Sequence, residues 1–345
     1  MRNWKHLVAL LFVVIVATVS TGCTKLKQEK DNEIKNSDIT IGFSIHGLEV
    51  ERWKREKIMA EEYAKEKGFN LLVADAQKSP EKQYKQCENL IYQGVNALIV
   101  IPEKDDVAGK IAKLAKENNV PIIAYDRLIK NGPVDYYITF NNYKVGVYQA
   151  KVLTDLVPKG NYVHLKGALS DFNTTFYTGG NMEVLDKFIK SGKIKIIAQE
   201  NCPGWYRNEA YKFMKNVLRK TKNIDAVIAP NDDTARAMIQ ALDESGLAGK
   251  IPVSGQDAEL ESIKYILQGK QTMTVYKPIR TMNKAAFDFA LDVAKGKKPQ
   301  TNALMGNGYS DIPTYNIDVI PVTKENIDET LIKDGFYTKE QVYGK

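Results

Sequence analysis

Short apolar segments alternate with segments of helical periodicity over most of this chain. The apolar segments are ITIGFSI, NLLVADA, NALIVIP, VPIIAYD, YYITF, YVHLKG, KIKIIAQ, IDAVIAP, IPVSGQD and QTMTVYK. Continuous apolar strands separated by helices predict parallel sheets covered on both faces. Because about ten strands are more than one compact doubly wound domain usually carries, the pattern predicts two α/β lobes.

The first part of the chain has a different composition. Arg2 and Lys5 precede an apolar run over 7–19, which is short for a membrane span but suits the core of a signal peptide. The sequence before Cys23 resembles the lipobox of bacterial lipoproteins, although Ser20 stands where an aliphatic residue is usual. We therefore expect residues 1–22 to be removed and Cys23 to carry lipid; the alternative is an uncleaved anchor with an incidental cysteine.

Residues 23–37 are polar and lack periodicity, which predicts a flexible tether between the lipid and the folded body. The formal net charge of +7 is spread along the chain, and no basic tract suits nucleic acid. Cys87 and Cys202 are interpreted as inert thiols, although their spacing leaves a disulfide open.

The motifs of the common enzyme classes are missing from this sequence. It has three histidines, no Gly-x-Ser-x-Gly, no phosphate-binding Gly-Lys-Ser/Thr loop, and no His/Cys cluster with metal spacing. We therefore expect a binding protein rather than an enzyme, with no cofactor and no metal.

Polar and charged residues follow the predicted strands. VPIIAYD ends in Asp126 and is followed by Arg127, and the other strand ends lead to Arg52, Asp171, Asn173, Asn231, Asp257 and Lys277. In open parallel sheets, ligands bind beyond these carboxyl ends. Helix capping is an alternative explanation that is strong for Asp171, Asp232 and Asp233. It is weak for Arg52, Arg127 and Lys277, because cations are disfavoured at helix N-termini.

This set of side chains suits a neutral polyol. Each sugar hydroxyl both donates and accepts, so its site needs carboxylates, amides and fixed cations together. Trp53 and Trp205 fall in the segments expected around the same edge, where an aromatic face could pack on a sugar ring. The sequence therefore predicts a sugar-binding site.

Six motifs carry a resemblance to a known family. They are LEVERW at 48–53, AYDR at 124–127, YITFNNYKVG at 137–146, SGQDAEL at 254–260, QTMTVYKP at 271–278 and IKDGF at 332–336. On these motifs, residues 38–337 resemble the D-xylose-binding proteins of bacterial ABC sugar importers, within the ribose/galactose type of periplasmic binding protein.

The resemblance implies an α/β fold of the type I periplasmic binding protein class. Two doubly wound parallel-sheet lobes, 38–144 with 278–316 and 145–277 with 317–345, would be joined by three crossover hinge segments and close around one pyranose. The implied sugar contacts are Arg52, Asp126, Arg127, Asn173, Trp205, Asn231, Asp257 and Lys277, with Trp53 as a stacking neighbour and Asp171 as an adjacent polar group.

The chain departs from the family pattern at two places. His46-Gly47 replaces an acidic pair that typically follows the first strand, and Thr175 stands where a Lys is often found. These departures bear on sugar affinity and selectivity. His46 itself is interpreted as an ordinary loop residue in preference to a ligand contact.

The resemblance implies an extracytoplasmic binding protein, anchored as a lipoprotein on the outer face of the cell membrane, that delivers D-xylose to an ABC permease. The alternative is a sensor that docks on a membrane histidine kinase or chemoreceptor, since the sugar pocket does not decide the partner. Sugar-responsive repressors share the two-lobed fold, but in them a DNA-binding helix-turn-helix occupies the space that here holds a signal segment and a tether.

Overall fold

The computed structural model of the protein describes residues 34–344. The predicted signal peptide, Cys23 and most of the predicted tether lie outside these residues. The last part of the predicted tether belongs to the folded body, because Asn36–Asp38 form a short 3-10 helix. The Asn36 side chain donates a 2.8 Å hydrogen bond to the carbonyl of Lys67. Within residues 34–344, no helix is long and apolar enough to cross a membrane.

Strands and helices alternate along the described chain. The strands are β1 Thr40–Ile45, β2 Asn70–Asp75, β3 Ala97–Val100, β4 Ile122–Tyr125, β5 Tyr136–Phe140, β6 Gly160–Lys166, β7 Ile194–Asn201, β8 Ala226–Ile228, β9 Thr274–Tyr276, β10 Ala303–Gly306, β11 Asp311–Ile317 and β12 Ile320–Val322. The α-helices are α1 Glu51–Lys67, α2 Pro80–Tyr92, α3 Asp105–Glu117, α4 Asn142–Leu156, α5 Asn173–Lys190, α6 Arg207–Lys220, α7 Asp232–Asp243, α8 Leu260–Leu267, α9 Ile279–Ala294 and α10 Lys339–Tyr343.

The strands form two main sheets. The larger sheet has the order β10-β11-β5-β4-β3-β1-β2 and is parallel except at the β10–β11 pair. The smaller sheet has the parallel order β7-β6-β8, and β9 pairs antiparallel with β12 beside it. The prediction of parallel α/β sheets is confirmed. Strands β3 and β4 are buried along their whole length, as expected of strands covered by helices on both faces.

One predicted strand is wrong. IPVSGQD forms a single bridge, from Val253 to Val227, and no regular ladder. A side chain at Gly255 would lie 2.0 Å from Oδ1 of Asp232, so the chain passes too close to that carboxylate for any other residue. Its neighbours bond irregularly instead, and Ser254 Oγ donates to the carbonyl of Ala229 at 3.3 Å.

The chain passes between the two sheets three times. The crossings lie between β5 and α4, between β9 and α9, and between β11 and β12. This is the arrangement implied for a type I periplasmic binding protein. The two lobe ranges stay a prediction, and each of their boundaries falls within a few residues of a crossing.

Candidate functional site

A cavity at the carboxyl ends of the strands holds most of the predicted site residues. Its volume is about 80 Å³. The predicted residues that line it are Arg52, Trp53, Asp126, Arg127, Asp171, Trp205, Asn231, Asp257 and Lys277. They come from segments following strands of both sheets, so two separate parts of the chain build one site.

Arg52 connects carboxylates from three parts of the chain. It lies in the first turn of α1, where Nη2 donates to Asp126 and Nε donates to Oε1 of Glu56 at 2.7 Å. Nη1 lies 3.6 Å from Oδ1 of Asp257. Burial disfavours the charged form, but Asp126, Glu56 and Asp257 together raise the pKa of Arg52 well above its usual value. The guanidinium is therefore a fixed cation at the cavity wall.

Asp126 follows β4 with a left-handed backbone, at φ 62°. Its main chain is held by surrounding groups, because its carbonyl accepts from the hydroxyls of Tyr137 and Thr139 at 2.8 and 3.0 Å. Burial would raise the pKa of Asp126, but Arg52 above all, with Lys277 and Arg127, lowers it below its usual value. The carboxylate therefore stays ionised and can accept hydrogen bonds from a ligand.

Three site residues share this unusual backbone. Asp126, Trp205 and Asp257 have φ values of 62°, 59° and 94°. Non-glycine residues in this region cost on the order of 1 kcal/mol each and persist where the surrounding structure holds them. Their concentration at one cavity indicates that side-chain position there is set at the expense of local stability.

Lys277 is almost completely buried, with 2% of its side chain exposed. Its Nζ lies 3.1 Å from Oδ1 of Asp257 and donates to the hydroxyl of Tyr177 at 3.3 Å. A buried ammonium group is stable only with such partners. Tyr177 lines the cavity from α5, and the sequence reasoning missed it because its segment has no polar strand end.

Arg127 and Asp171 form a second ion pair across the cavity. Nε of Arg127 lies 3.3 Å from Oδ2 of Asp171, and Nη1 donates to the carbonyl of Pro102. Burial raises the pKa of Asp171, and Asp126 raises it further while Arg127 opposes both. Asp171 also accepts a 3.0 Å bond from the backbone of Asn173, so part of its predicted capping role is real.

The two tryptophans differ in their surroundings. Trp205 packs edge-on to Tyr177 with centroids 6.2 Å apart, and its indole Nε1 is buried with no hydrogen-bond partner among residues 34–344. Gly167 permits this position, since a side chain there would lie 2.4 Å from the indole. Trp53 is already covered by the guanidinium of Arg52 at 4.4 Å and by the edge of His46.

The asparagines are placed differently from each other. Asn231 lines the cavity and caps α7, where its side chain accepts from the backbone of Thr234 at 3.0 Å. The cap therefore precedes both Asp232 and Asp233, the two residues for which the sequence favoured capping. Asn173 does not line the described cavity. Its amide donates to the carbonyl of Asp126 and accepts from Asn142, so both of its polar ends are used within the protein.

Sequence reasoning also missed several groups around the site. Glu56 is fully buried against Arg52 and Tyr125, although its spacing four residues after Arg52 was a usable signal. His46, interpreted as a loop residue, lies directly after β1, where it is buried and lines the cavity. Thr175 is exposed and lies outside the cavity lining.

Cys87 and Cys202 are buried free thiols and form no disulfide with each other.

Several buried polar atoms of the cavity lining make no hydrogen bond within the described chain. His46 Nε2, Trp205 Nε1 and Gln256 Oε1 have no partner there, whereas Arg127 Nε and Asp257 Oδ1 make ion pairs only. An unsatisfied buried polar group costs about 1–3 kcal/mol unless a ligand or water reaches it. Their mixture of donors and acceptors fits a small polar ligand. No group of His, Cys, Asp and Glu within 34–344 could hold a metal ion.

Residues 41–298 match the periplasmic binding protein domain family. The chain belongs to this family of periplasmic binding proteins, and the expectation of a binding protein rather than an enzyme is confirmed. It is 41% identical over 309 residues to the D-xylose-binding periplasmic protein of Haemophilus influenzae, covering 89% of this chain and 93% of that one. Identity to the protein of the same name from Escherichia coli is 40%, covering 88% and 93%.

Solved structures give the same picture of the fold. An ABC transporter solute-binding protein from Clostridium phytofermentans with bound β-D-glucose superposes with a TM-score of 0.81 at 28% identity. The match covers 88% of this chain and 99% of that one. The type I periplasmic binding protein fold predicted from the motifs is confirmed.

Proposed function

We propose that this protein is an extracytoplasmic, lipid-anchored binding protein that captures D-xylose and delivers it to an ABC importer. The observation that carries the proposal is the cluster of buried, opposed charges around Arg52, Asp126, Asp257 and Lys277 in one small cavity. The identity of about two residues in five with two D-xylose-binding periplasmic proteins supports the choice of sugar.

The proposed ligand chemistry follows from these charges. The carboxyl oxygens of Asp126 and Asp257 accept from sugar hydroxyls, while Arg52, Arg127 and Lys277 donate to them. Trp205 offers a ring face to the C–H groups of a pyranose. A closed site fitted around a pentose would resist the added hydroxymethyl group of a hexose by overlap, so pentose should be preferred over glucose.

We also propose that the sugar selects a closed arrangement of two hinged lobes. Arg52–Asp257 and Arg127–Asp171 join segments assigned to different lobes, so a ligand between them would strengthen both links. Small-angle scattering is expected to show a smaller radius of gyration with D-xylose than without it. An unchanged profile at saturating sugar would contradict the hinge.

The proposed anchor rests on the sequence before Cys23, which lies outside the described residues. Mass spectrometry of membrane-extracted protein should find a lipidated Cys23 as the first residue. The proposed delivery partner is tested separately, by co-purification with the permease and with candidate histidine kinases or chemoreceptors. Retention by a kinase or chemoreceptor instead of the permease would replace the delivery step and leave sugar binding unaffected.

Calorimetric titration with D-xylose, ribose, arabinose and glucose is the test of the sugar itself. D-xylose is expected to bind with micromolar or tighter affinity, about −8 kcal/mol or better, and glucose more weakly. Tighter binding of glucose or ribose than of D-xylose would overturn the proposed ligand.

A further inference from the structure

A histidine–glutamate pair, His46 and Glu103, stands at the cavity wall, and His46 occupies one of the two positions where the family resemblance implies an acidic pair. His46 directly follows β1 and is 3% exposed. Its Nδ1 lies 2.9 Å from Oε2 of Glu103, and its ring packs edge-on to Trp53 with centroids 5.1 Å apart. Both His46 and Glu103 line the cavity. The ring is therefore held in place from two sides.

Burial and the surrounding cations both favour the neutral form of this ring. Burial lowers the pKa of His46 well below its usual value, and Arg127, Lys78 and Arg52 lower it further. A neutral imidazole has one N–H and one bare nitrogen. Burial raises the pKa of Glu103, and Arg127 and Lys78 oppose this by favouring its ionised form, which can only accept a hydrogen bond. With the proton on Nδ1 facing Glu103, Nε2 is left as an acceptor.

The acceptor atom has no partner within the part of the chain that the structure describes. Nε2 of His46 is buried and makes no hydrogen bond, although three cationic side chains lie in its electrostatic surroundings. An unsatisfied acceptor of this kind costs free energy unless a donor reaches it. A sugar hydroxyl is a donor of the right chemistry at this place.

We propose that His46 is a ligand contact that determines specificity, with Nε2 accepting a hydrogen bond from one hydroxyl of the bound sugar. Glu103 is then a positioning residue that fixes the tautomer. The inference rests on the proposed function as a sugar-binding protein and deepens it. Where a carboxylate could serve several hydroxyls, a neutral imidazole nitrogen serves one, so this site is more selective at that position.

A pair of variants separates the two ring nitrogens. In His46→Asn the amide occupies the position of Nδ1 and retains a contact to Glu103, but the acceptor at the position of Nε2 is lost. In His46→Gln the amide reaches the position of Nε2. We expect the affinity for D-xylose to fall about tenfold or more in His46→Asn and clearly less in His46→Gln.

Deoxy sugars identify a direct contact. Titration of wild type and His46→Asn with D-xylose analogues lacking each hydroxyl in turn should give one analogue on which His46→Asn has no further effect. An equal loss in His46→Asn for every analogue means that the ring is structural and overturns the inference. Unchanged D-xylose affinity in His46→Asn overturns it as well.

Nitrogen-15 spectra of the histidine rings give an independent readout. Adding D-xylose should shift the bare Nε2 resonance of His46, and a resonance that stays in place contradicts the contact. His164 is the internal control, because it is buried against Asn181 at 3.1 Å and does not line the cavity. If wild type binds no monosaccharide, the proposed function fails; if it binds while His46 is insensitive, this inference alone fails.

Discussion

Asp126 and Asp232 are both buried, and each lies beyond the end of a strand in its own sheet. Asp126 contacts Arg52 and has Lys277 and Arg127 nearby, and its pKa is lowered. Asp232 accepts from Gln271, Thr274 and the backbone of Glu259 at 2.8–2.9 Å. Burial, reinforced by Glu259 and Asp257, raises the pKa of Asp232 well above its usual value.

The comparison shows that a position at a strand end does not decide the role of a carboxylate. Cations around Asp126 keep it ionised and available to a ligand. Amide, hydroxyl and N–H groups use both oxygens of Asp232, which thereby holds the loop that leads from Gly255 through Asp257 to Glu259. We propose that Asp126 binds the sugar, while Asp232 supports the loop that carries Asp257, the second aspartate proposed to bind it.

Each aspartate belongs to a cluster with its own arginine. The cavity cluster is Arg52, Asp126, Asp257 and Lys277. The α7 cluster is Asp232, Asp233, Arg236 and Glu259, in which Arg236 lies 3.0 Å from Asp233 and 2.6 Å from Glu259. Matched substitutions in the two clusters test whether binding and support are separate.

The largest effect is expected from Arg52→Met. It leaves Glu56, Asp126 and Asp257 without their shared cation, so D-xylose affinity should fall at least about a hundredfold and stability by about 3–5 kcal/mol. Arg236→Met is the matched control, with a stability loss but an affinity within about threefold of wild type. Calorimetric titration and urea unfolding measure both quantities. Equal affinity losses in the two variants would remove the distinction between the clusters.

Asp257→Ala should have the next largest effect on binding. It removes a charged acceptor from the cavity and leaves Lys277 without its 3.1 Å partner. We expect at least about a thirtyfold loss of D-xylose affinity, equivalent to about 2 kcal/mol or more. Asp233→Ala, in the α7 cluster and more exposed, should change affinity by less than about threefold. Wild-type affinity in Asp257→Ala would show that this carboxylate does not contact the sugar.

A smaller effect is expected on the pH dependence of stability without sugar. Burial raises the pKa of Glu56 to about 7, against the opposing effect of Arg52 and with a contribution from Asp126. A carboxyl group whose pKa is raised on folding stabilises below its unfolded value of 4.5, and this contribution is lost as pH rises through about 7. Between these pH values the free energy of unfolding should therefore fall less in Glu56→Gln than in wild type, by up to about 3 kcal/mol.

Urea unfolding at a series of pH values measures this slope. Burial also raises the pKa of Glu259 to about 7. Because wild type and Glu56→Gln both contain Glu259, its contribution cancels when their slopes are compared. Glu62→Gln, an exposed change on the same helix, should leave the slope as in wild type. A slope that Glu56→Gln does not alter would mean that the buried Glu56 is ionised throughout.

The features that could be predicted from the sequence are the buried apolar strands and the polar residues that follow them. Continuous apolar runs such as β3 and β4 could be recognised because both faces are buried, and Asp126 and Arg127 followed from the end of β4. Strands β10 and β11 were missed because neither is an unbroken apolar segment. In β10, the edge strand that pairs antiparallel with β11, Leu304 is 68% exposed, and Pro313 interrupts the apolar pattern of β11. A strand criterion based on unbroken apolar segments does not detect such strands.

The parts that sequence did not predict depend on tertiary contacts. Tyr177 reaches the cavity from the second turn of α5, and its segment shows no periodicity that points to a ligand. The sugar contact implied for Asn173 stays a prediction, and the contacts of its amide with Asp126 and Asn142 could not be predicted from the motif. The surroundings of His46 include Glu103, which is 57 residues away in the sequence, and the ring of Trp53. The sequence pattern indicates neither contact.

The most direct test of the account compares Asp126→Asn and Asp232→Asn by calorimetric titration with D-xylose at neutral pH. Each variant keeps the shape of the side chain and replaces one carboxyl oxygen by an NH2 group. We expect Asp126→Asn to weaken binding at least about thirtyfold, whereas Asp232→Asn stays within about threefold of wild type. Equal affinities in the two variants, or a greater loss in Asp232→Asn, would contradict the assignment of binding to one aspartate and support to the other.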